Sequence, residues 1–287
     1  MPYTAQDLLA LLDLERIEHN IYRGQSRDIG TGRIFGGQVL AQALTAAQRT
    51  VSDDRPAHSM HGYFILAGDL TVPVVYFVDR LRDGGSFTTR RVTAIQSGNA
   101  IFKMSASFHR REDGWEHQAR MPKVPDPETL PSELDYLRAR AGDIPEAVRA
   151  VLIQDRPLDF RLVDAPDPLD TSPRPPLRHY WVRSVGSMGN RPQEHQAVLA
   201  YASDYGLLRS ALDPHGVSYR DPRLMVASLD HSIWFHRPFR MDEWLLHVSE
   251  SPVSAGARGF ARGTFFTRDG ELVASTAQEG MVRVRKG

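Results

Sequence analysis

The chain has 287 residues with 35 Lys and Arg against 35 Asp and Glu, so no overall basic field draws it to nucleic acid. It has no cysteine, which excludes disulfides, thiol nucleophiles and thiolate metal sites. No apolar run approaches the roughly 18–20 residues that span a bilayer, and the acidic N-terminal stretch has no basic segment leading into an apolar one. A cytoplasmic protein with no membrane insertion is expected.

In chain order, Thr4 is placed to cap a first helix running to about Leu14, with Asp7 three residues on. Arg16–Gln25 reads as extended. The glycine-dense turn Gly30–Gly37 leads into QVLAQALTAAQRTV, an Ala- and Leu-rich stretch that predicts a buried helix over Gln38–Thr50. From His58 to Phe108 the β-branched and aromatic content rises, and turn signals fall at 67–69, 82–85 and 97–99, which predicts an antiparallel strand series. The region 121–176 holds 11 of the 19 prolines and two short helical patterns, near Pro131–Ala139 and Pro145–Ile153. Proline at this density interrupts helices and ladders, so a surface linker is expected between a unit at 1–120 and another at 177–287. Strand patterning resumes at His179–Val185.

Internal repetition organises the rest. VLAQA at 39–43 recurs as VLAYA at 198–202, an offset of 159. HGYF at 61–64 answers SIWF at 232–235, an offset of 171, and Arg90–Met104 answers Arg262–Thr276, an offset of 172. The extra 12 or so positions predict a longer helix-to-strand loop in the second copy, around Asp213–Pro222. Each unit reads as a helix followed by about four antiparallel strands, a sheet curling around one buried helix.

Standard site patterns are missing: there is no G-x-S-x-G elbow, no H-E-x-x-H pair and no phosphate loop. Neither a metal nor a cofactor is expected. What stands out is a set of polar residues at positions the pattern buries. Asp204 falls in the second central helix, Ser228 opens the second strand series, and Gln278 lies on the last strand. Each also has an ordinary reading, as a polar helix face, a hydroxyl satisfying backbone and a solvent-facing edge residue. His58, His61, His231 and His236, near strand starts, read more simply as structural, with water activation by His58 or His231 as a lesser alternative. The repeat offsets sharpen the contrast, because Asp204, Ser228 and Gln278 correspond to Thr45, Ala57 and Ala106.

The segments GRIFGGQVLAQAL, HSMHGYF, LRDGGSFTTRRVTAIQ, YASDYGLL, LDHSIWFHRPFRMDEWLL and ARGFARGTFFTRDGELVASTAQEG closely resemble the acyl-CoA thioesterase II family, bacterial enzymes with peroxisomal relatives. The resemblance covers nearly everything but the 121–176 linker. It implies an α+β double hotdog fold and hydrolysis of fatty acyl-CoA to free acid and CoA. The family's Asp, Thr or Ser, and Gln fall on Asp204, Ser228 and Gln278. Relatives often carry Thr where Ser228 stands, and Leu-Arg-Pro-Gly-Asp where this chain has ILAGD at 65–69. Copy one is expected to wall the substrate groove with Phe35, Gly36, Gly37, Gln38, Tyr63 and Phe64; close packing explains those glycines equally well. Two rivals differ in kind. Hotdog hydratases pair an Asp with a His on one loop, whereas the residue five past Asp204 is Arg209. A non-catalytic acyl-CoA binder would keep the groove and not need the trio. Uncovered sheet edges make a homodimer or larger homo-oligomer the expected assembly.

Overall fold

A computed structural model describes residues 3–285 except 165, 166, 168, 220 and 222. Thr4 caps α1 (Ala5–Leu12), accepting and returning hydrogen bonds with Asp7, and the extended segment forms β1 (Glu15–Glu18) and β2 (Ile21–Gly24). The buried helix α2 is Gly36–Gln48, starting two residues earlier than the periodicity predicts. Strands β3 (Ala57–Phe64), β4 (Val74–Asp83), β5 (Phe87–Gln96) and β6 (Asn99–His109) follow. Their burial alternates; on β5, Thr88, Arg90, Val92, Ala94 and Gln96 point inward. Buried Arg90 is satisfied by Thr50, Arg82, Thr89 and Asp83, so its guanidinium donors are all paired.

The proline-rich region is not a bare linker. It carries α3 (Glu133–Ala139), α4 (Glu146–Leu152) and β7 (Leu158–Leu162), and β7 extends the second sheet by pairing with β8 (Leu177–Ser184). Then come α5 (Pro192–Ser203), α6 (Arg209–Leu212), β9 (Leu224–Ser228), β10 (Asp230–Phe235), β11 (Leu245–Ala255), β12 (Arg258–Thr267) and β13 (Leu272–Val284). The longer loop expected in copy two around Asp213–Pro222 opens, directly after α6, with a short turn at Asp213–His215; Arg220 and Pro222 lie outside the described residues.

The two sheets join through β3 and β10 into one 13-stranded antiparallel sheet, in which β9 pairs β13 off the main path. At that junction Ser232 pairs with His61, its own counterpart at an offset of 171, as a local two-fold axis requires. The bulge between Ala94 and Ile95 recurs between Phe265 and Phe266 at the same offset, so the copies share irregularities as well as pattern. The helices α2 and α5 pack against each other under the sheet. Gly37 permits the contact, since a Cβ there would lie 2.4 Å from the carbonyl oxygen of Tyr201. Two curled sheets, each with its helix, are the double hotdog expected from the sequence.

The interiors differ. Copy one buries Met60, Tyr76, Val78, Val92 and Met104; copy two buries His231, His247, Ser249, Gly263 and Thr276 at the matching positions.

Candidate active site

Asp204 lies just past the end of α5 as its C-cap, not inside the helix as the pattern predicts. The chain turns there through Gly206 at φ 70°, a left-handed conformation that glycine adopts at little cost. Gln278 is on β13 between β10 and β12, so it is an interior residue and not an edge one. Ser228 ends β9 and pairs with Gly280, two residues from Gln278 on the same strand. Next to it, the Leu229 N–H donates to the Glu279 carbonyl while the Leu229 carbonyl accepts the Phe64 N–H, which ties the site to copy one.

These elements bring the trio into contact. The Gln278 Nε2 donates to Asp204 Oδ1 at 2.7 Å and to Ser228 Oγ at 2.9 Å, using both of its hydrogens. The Gly37 amide, at the N-terminus of α2, also donates to Asp204. A Cβ on Gly36 would sit 2.7 Å from Asp204 Oδ2, so only glycine lets the carboxylate reach the positive end of that helix. Burial dominates its titration and pushes the carboxyl up to about 6, against the lowering effect of Gln278, Gly37 and Ser228. A carboxylate tuned to that range can accept a proton near neutral pH and give it back.

The trio opens into a cavity of about 700 Å3 whose other wall includes Ile34, Phe35, Gly36, Val39 and Phe64 from copy one. The loop Ile65–Gly68 also lines it, as do Tyr205 and Tyr219. So do Val151, Leu152, Gln154 and Arg156 from the proline-rich region. Nothing in the local sequence marked those four, because only the wrap of the chain brings them across. Arg27 and Arg33 stand on the same wall.

The expected groove residues divide. Phe35, Gly36 and Phe64 line the cavity, and Gly37 contacts Asp204 through its backbone. Gln38 is buried and holds the preceding loop, accepting the Arg27 N–H and donating to the Gln25 carbonyl. Tyr63 points to the outer face at 67% exposure, because strand alternation sends it opposite to Phe64. Of the four histidines, His58 packs against Phe87 and His109, His61 bonds Ser232, and His236 bonds Ser275. Only His231 lies beside Asp204.

The matching place in the other half is closed. Gln196, the counterpart of Gly37, accepts the Ala57 N–H at 3.2 Å and donates to the Ala57 carbonyl at 2.7 Å. Thr45 turns back onto the Ala41 carbonyl at 2.9 Å. Among the described residues no group of three or more His, Cys, Asp or Glu is arranged to hold a metal.

The fold and cavity place the chain in a known class. Residues 169–281 match the acyl-CoA thioesterase family and residues 25–109 match the acyl-CoA thioesterase N-terminal domain. The chain belongs to the acyl-CoA thioesterase family. It is 40% identical to acyl-CoA thioesterase 2 of Haemophilus influenzae across 96% of this chain and 97% of that one. It is 41% identical to mouse acyl-coenzyme A thioesterase 8 across 96% of this chain and 88% of that one. Among solved structures it resembles the acyl-CoA thioesterase II TesB2 of Mycobacterium marinum, with 40% identity, TM-score 0.79 and 98% of each chain covered.

Proposed function

We propose that Asp204, Ser228 and Gln278 perform the family's reaction by activating water, with the 1–120 unit and the 121–176 segment walling the cavity of the catalytic 177–287 unit. As a family member the protein is an acyl-CoA thioesterase, hydrolysing the thioester to a free acid and CoA. The observation that carries the assignment is the Gln278 amide bonding Asp204 and Ser228 at once, inside a cavity with apolar walls.

In the reading supported here, Asp204 takes a proton from water as the water oxygen attacks the thioester carbonyl. The carbonyl oxygen becomes an oxyanion beside the N-terminus of α2, where the helix dipole favours negative charge. The carbon–sulfur bond then breaks, and the departing CoA thiolate recovers the proton from Asp204. Ser228 and Gln278 hold the water and carboxylate in register. Arg27 and Arg33 suit the CoA phosphates, since the chain has no net charge to attract them. A fatty acyl chain fits the apolar wall formed by Ile34, Phe35 and Phe64.

No helix among the described residues is long and apolar enough to cross a membrane. A cytoplasmic location and self-association through the free edges at β1 and β7 are part of the proposal.

The test is kcat for Asp204→Asn and Gln278→Ala, read as thiol release from acyl-CoA. The expected losses are about 10^2- to 10^4-fold. Near-wild-type rates in both would sink the assignment. In a single turnover in heavy-oxygen water the label should enter the released acid; label in the Asp204 side chain would instead mean direct attack by the carboxylate.

A further inference from the structure

His231 is a second buried titratable group at the site, and nothing in the mechanism above uses it. It is fully buried on β10, where copy one has Met60. Its Nε2 lies 2.9 Å from Ser203 Oγ, and the same hydroxyl donates its one proton to the Ala200 carbonyl at 2.9 Å. With that proton on the Ala200 carbonyl Ser203 accepts, which assigns the His231 proton to Nε2. That leaves a lone pair on Nδ1, which is buried and has no hydrogen-bond partner among the described residues. The unpartnered atom faces Asp204, 3.9 Å from Oδ1, the oxygen that also accepts from Gln278.

Two lone pairs facing each other give no hydrogen bond, and 3.9 Å is too long for one. The arrangement becomes complementary when Oδ1 carries a proton. We propose that His231 is a positioning residue for Asp204: its Nδ1 receives a hydrogen bond from the Oδ1–H that forms when Asp204 takes the water proton. The gap closes as the carboxylate turns into a carboxylic acid, and it reopens when the thiolate recovers the proton. No proton passes to the imidazole, and no charge forms on it. This inference rests on Asp204 being the base.

The surroundings agree. Burial pushes the His231 imidazole down to about 3, so it stays a neutral acceptor at every working pH. The other titratable groups facing Asp204 are Tyr205 in its own turn, which desolvation holds protonated, and Tyr219 in the loop before β9, a half-exposed phenol. Behind His231 lies His247 on β11, which burial also keeps neutral. Gln278 and Ser228 carry no charge. His231 is thus the titratable neighbour that offers Asp204 an acceptor and no charge.

Three substitutions separate this role from packing. His231→Gln keeps an amide near Nε2 for Ser203 and loses the acceptor at Nδ1. His231→Asn keeps a carbonyl near Nδ1 and loses the Ser203 bond. His231→Met installs the copy-one residue and removes both. The measurement is the pH profile of kcat and kcat/KM, with folding checked by circular dichroism. His231→Gln and His231→Met should lower kcat roughly tenfold, a loss of one hydrogen bond in the transition state. They should also move the acid limb to lower pH at unchanged KM, because the protonated form of Asp204 loses its acceptor. His231→Asn should stay nearer wild type. An unmoved acid limb with kcat near wild type in His231→Gln overturns the proposal, even if His231→Met fails to fold. An active Asp204→Asn enzyme would instead overturn the assignment of the base, so the two failures are distinct.

Discussion

The two halves of the molecule are one design used in two ways, and the difference sits at the helix N-termini as much as at the trio. Copy one presents Gly36 and Gly37 to the carboxylate of copy two; copy two presents His195 and Gln196 at the matching positions. The glycines leave room for the carboxylate, and the Gly37 amide donates to it. Gln196 instead fills its place and bonds both the N–H and the carbonyl of Ala57, with a further bond from Gln48. The proposed site draws on both copies, with the carboxylate and its two partners on one half and the Gly36–Gly37 helix end on the other. The matching place in the other half is filled, and it also lacks the polar trio.

The largest test of that comparison is Gly36→Ala. Its Cβ would fall 2.7 Å from Asp204 Oδ2 and 3.0 Å from Phe64 Cζ, so the carboxylate must retreat from the helix. A displacement of about 1 Å should cost about a hundredfold in kcat. A rate within a few-fold of wild type would remove copy one from the machinery.

Next in size is a pH effect with a definite sign. The folded Asp204 carboxyl is raised from its ordinary 3.8 to about 6, so the native state binds its proton more tightly than the unfolded chain. Stability therefore falls as pH rises through that window, and the penalty is complete above it. Asp204→Asn removes it and should stabilise the protein at pH above about 7 by on the order of 2–3 kcal/mol, while matching wild type near pH 4. Chemical denaturation at both pH values checks this; equal stability at high pH would mean the carboxylate is better solvated than its burial implies.

The smallest effect belongs to the closed half. Thr45→Ala removes a hydroxyl already turned onto the Ala41 carbonyl, and kcat should change by less than about twofold. Titration with a non-hydrolysable acyl-CoA analogue should saturate near one per chain. Two equivalent sites would break the asymmetry.

Much of this was legible in the sequence because it depends on order along the chain. Duplication shows as a near-constant offset, and the pleat turns that offset into the pairing of His61 with Ser232. The polar substitutions Thr45 to Asp204, Ala57 to Ser228 and Ala106 to Gln278 are visible without coordinates. Other features were decided only by the tertiary structure. Asp204 reads as a helical residue, yet its position past the last turn of α5 lets the carboxylate face α2. Tyr63 and Phe64 look alike as neighbours, but a strand sends them to opposite faces. The cavity wall formed by Val151, Leu152, Gln154 and Arg156 comes from a region that reads as a surface linker with two short helices. Likewise His231 reads as one structural histidine among several until Ser203 fixes its tautomer and its bare nitrogen faces Asp204. The reason is the same in each case. Periodicity reports which face of an element is buried, while the chemistry depends on which atoms of distant elements meet there.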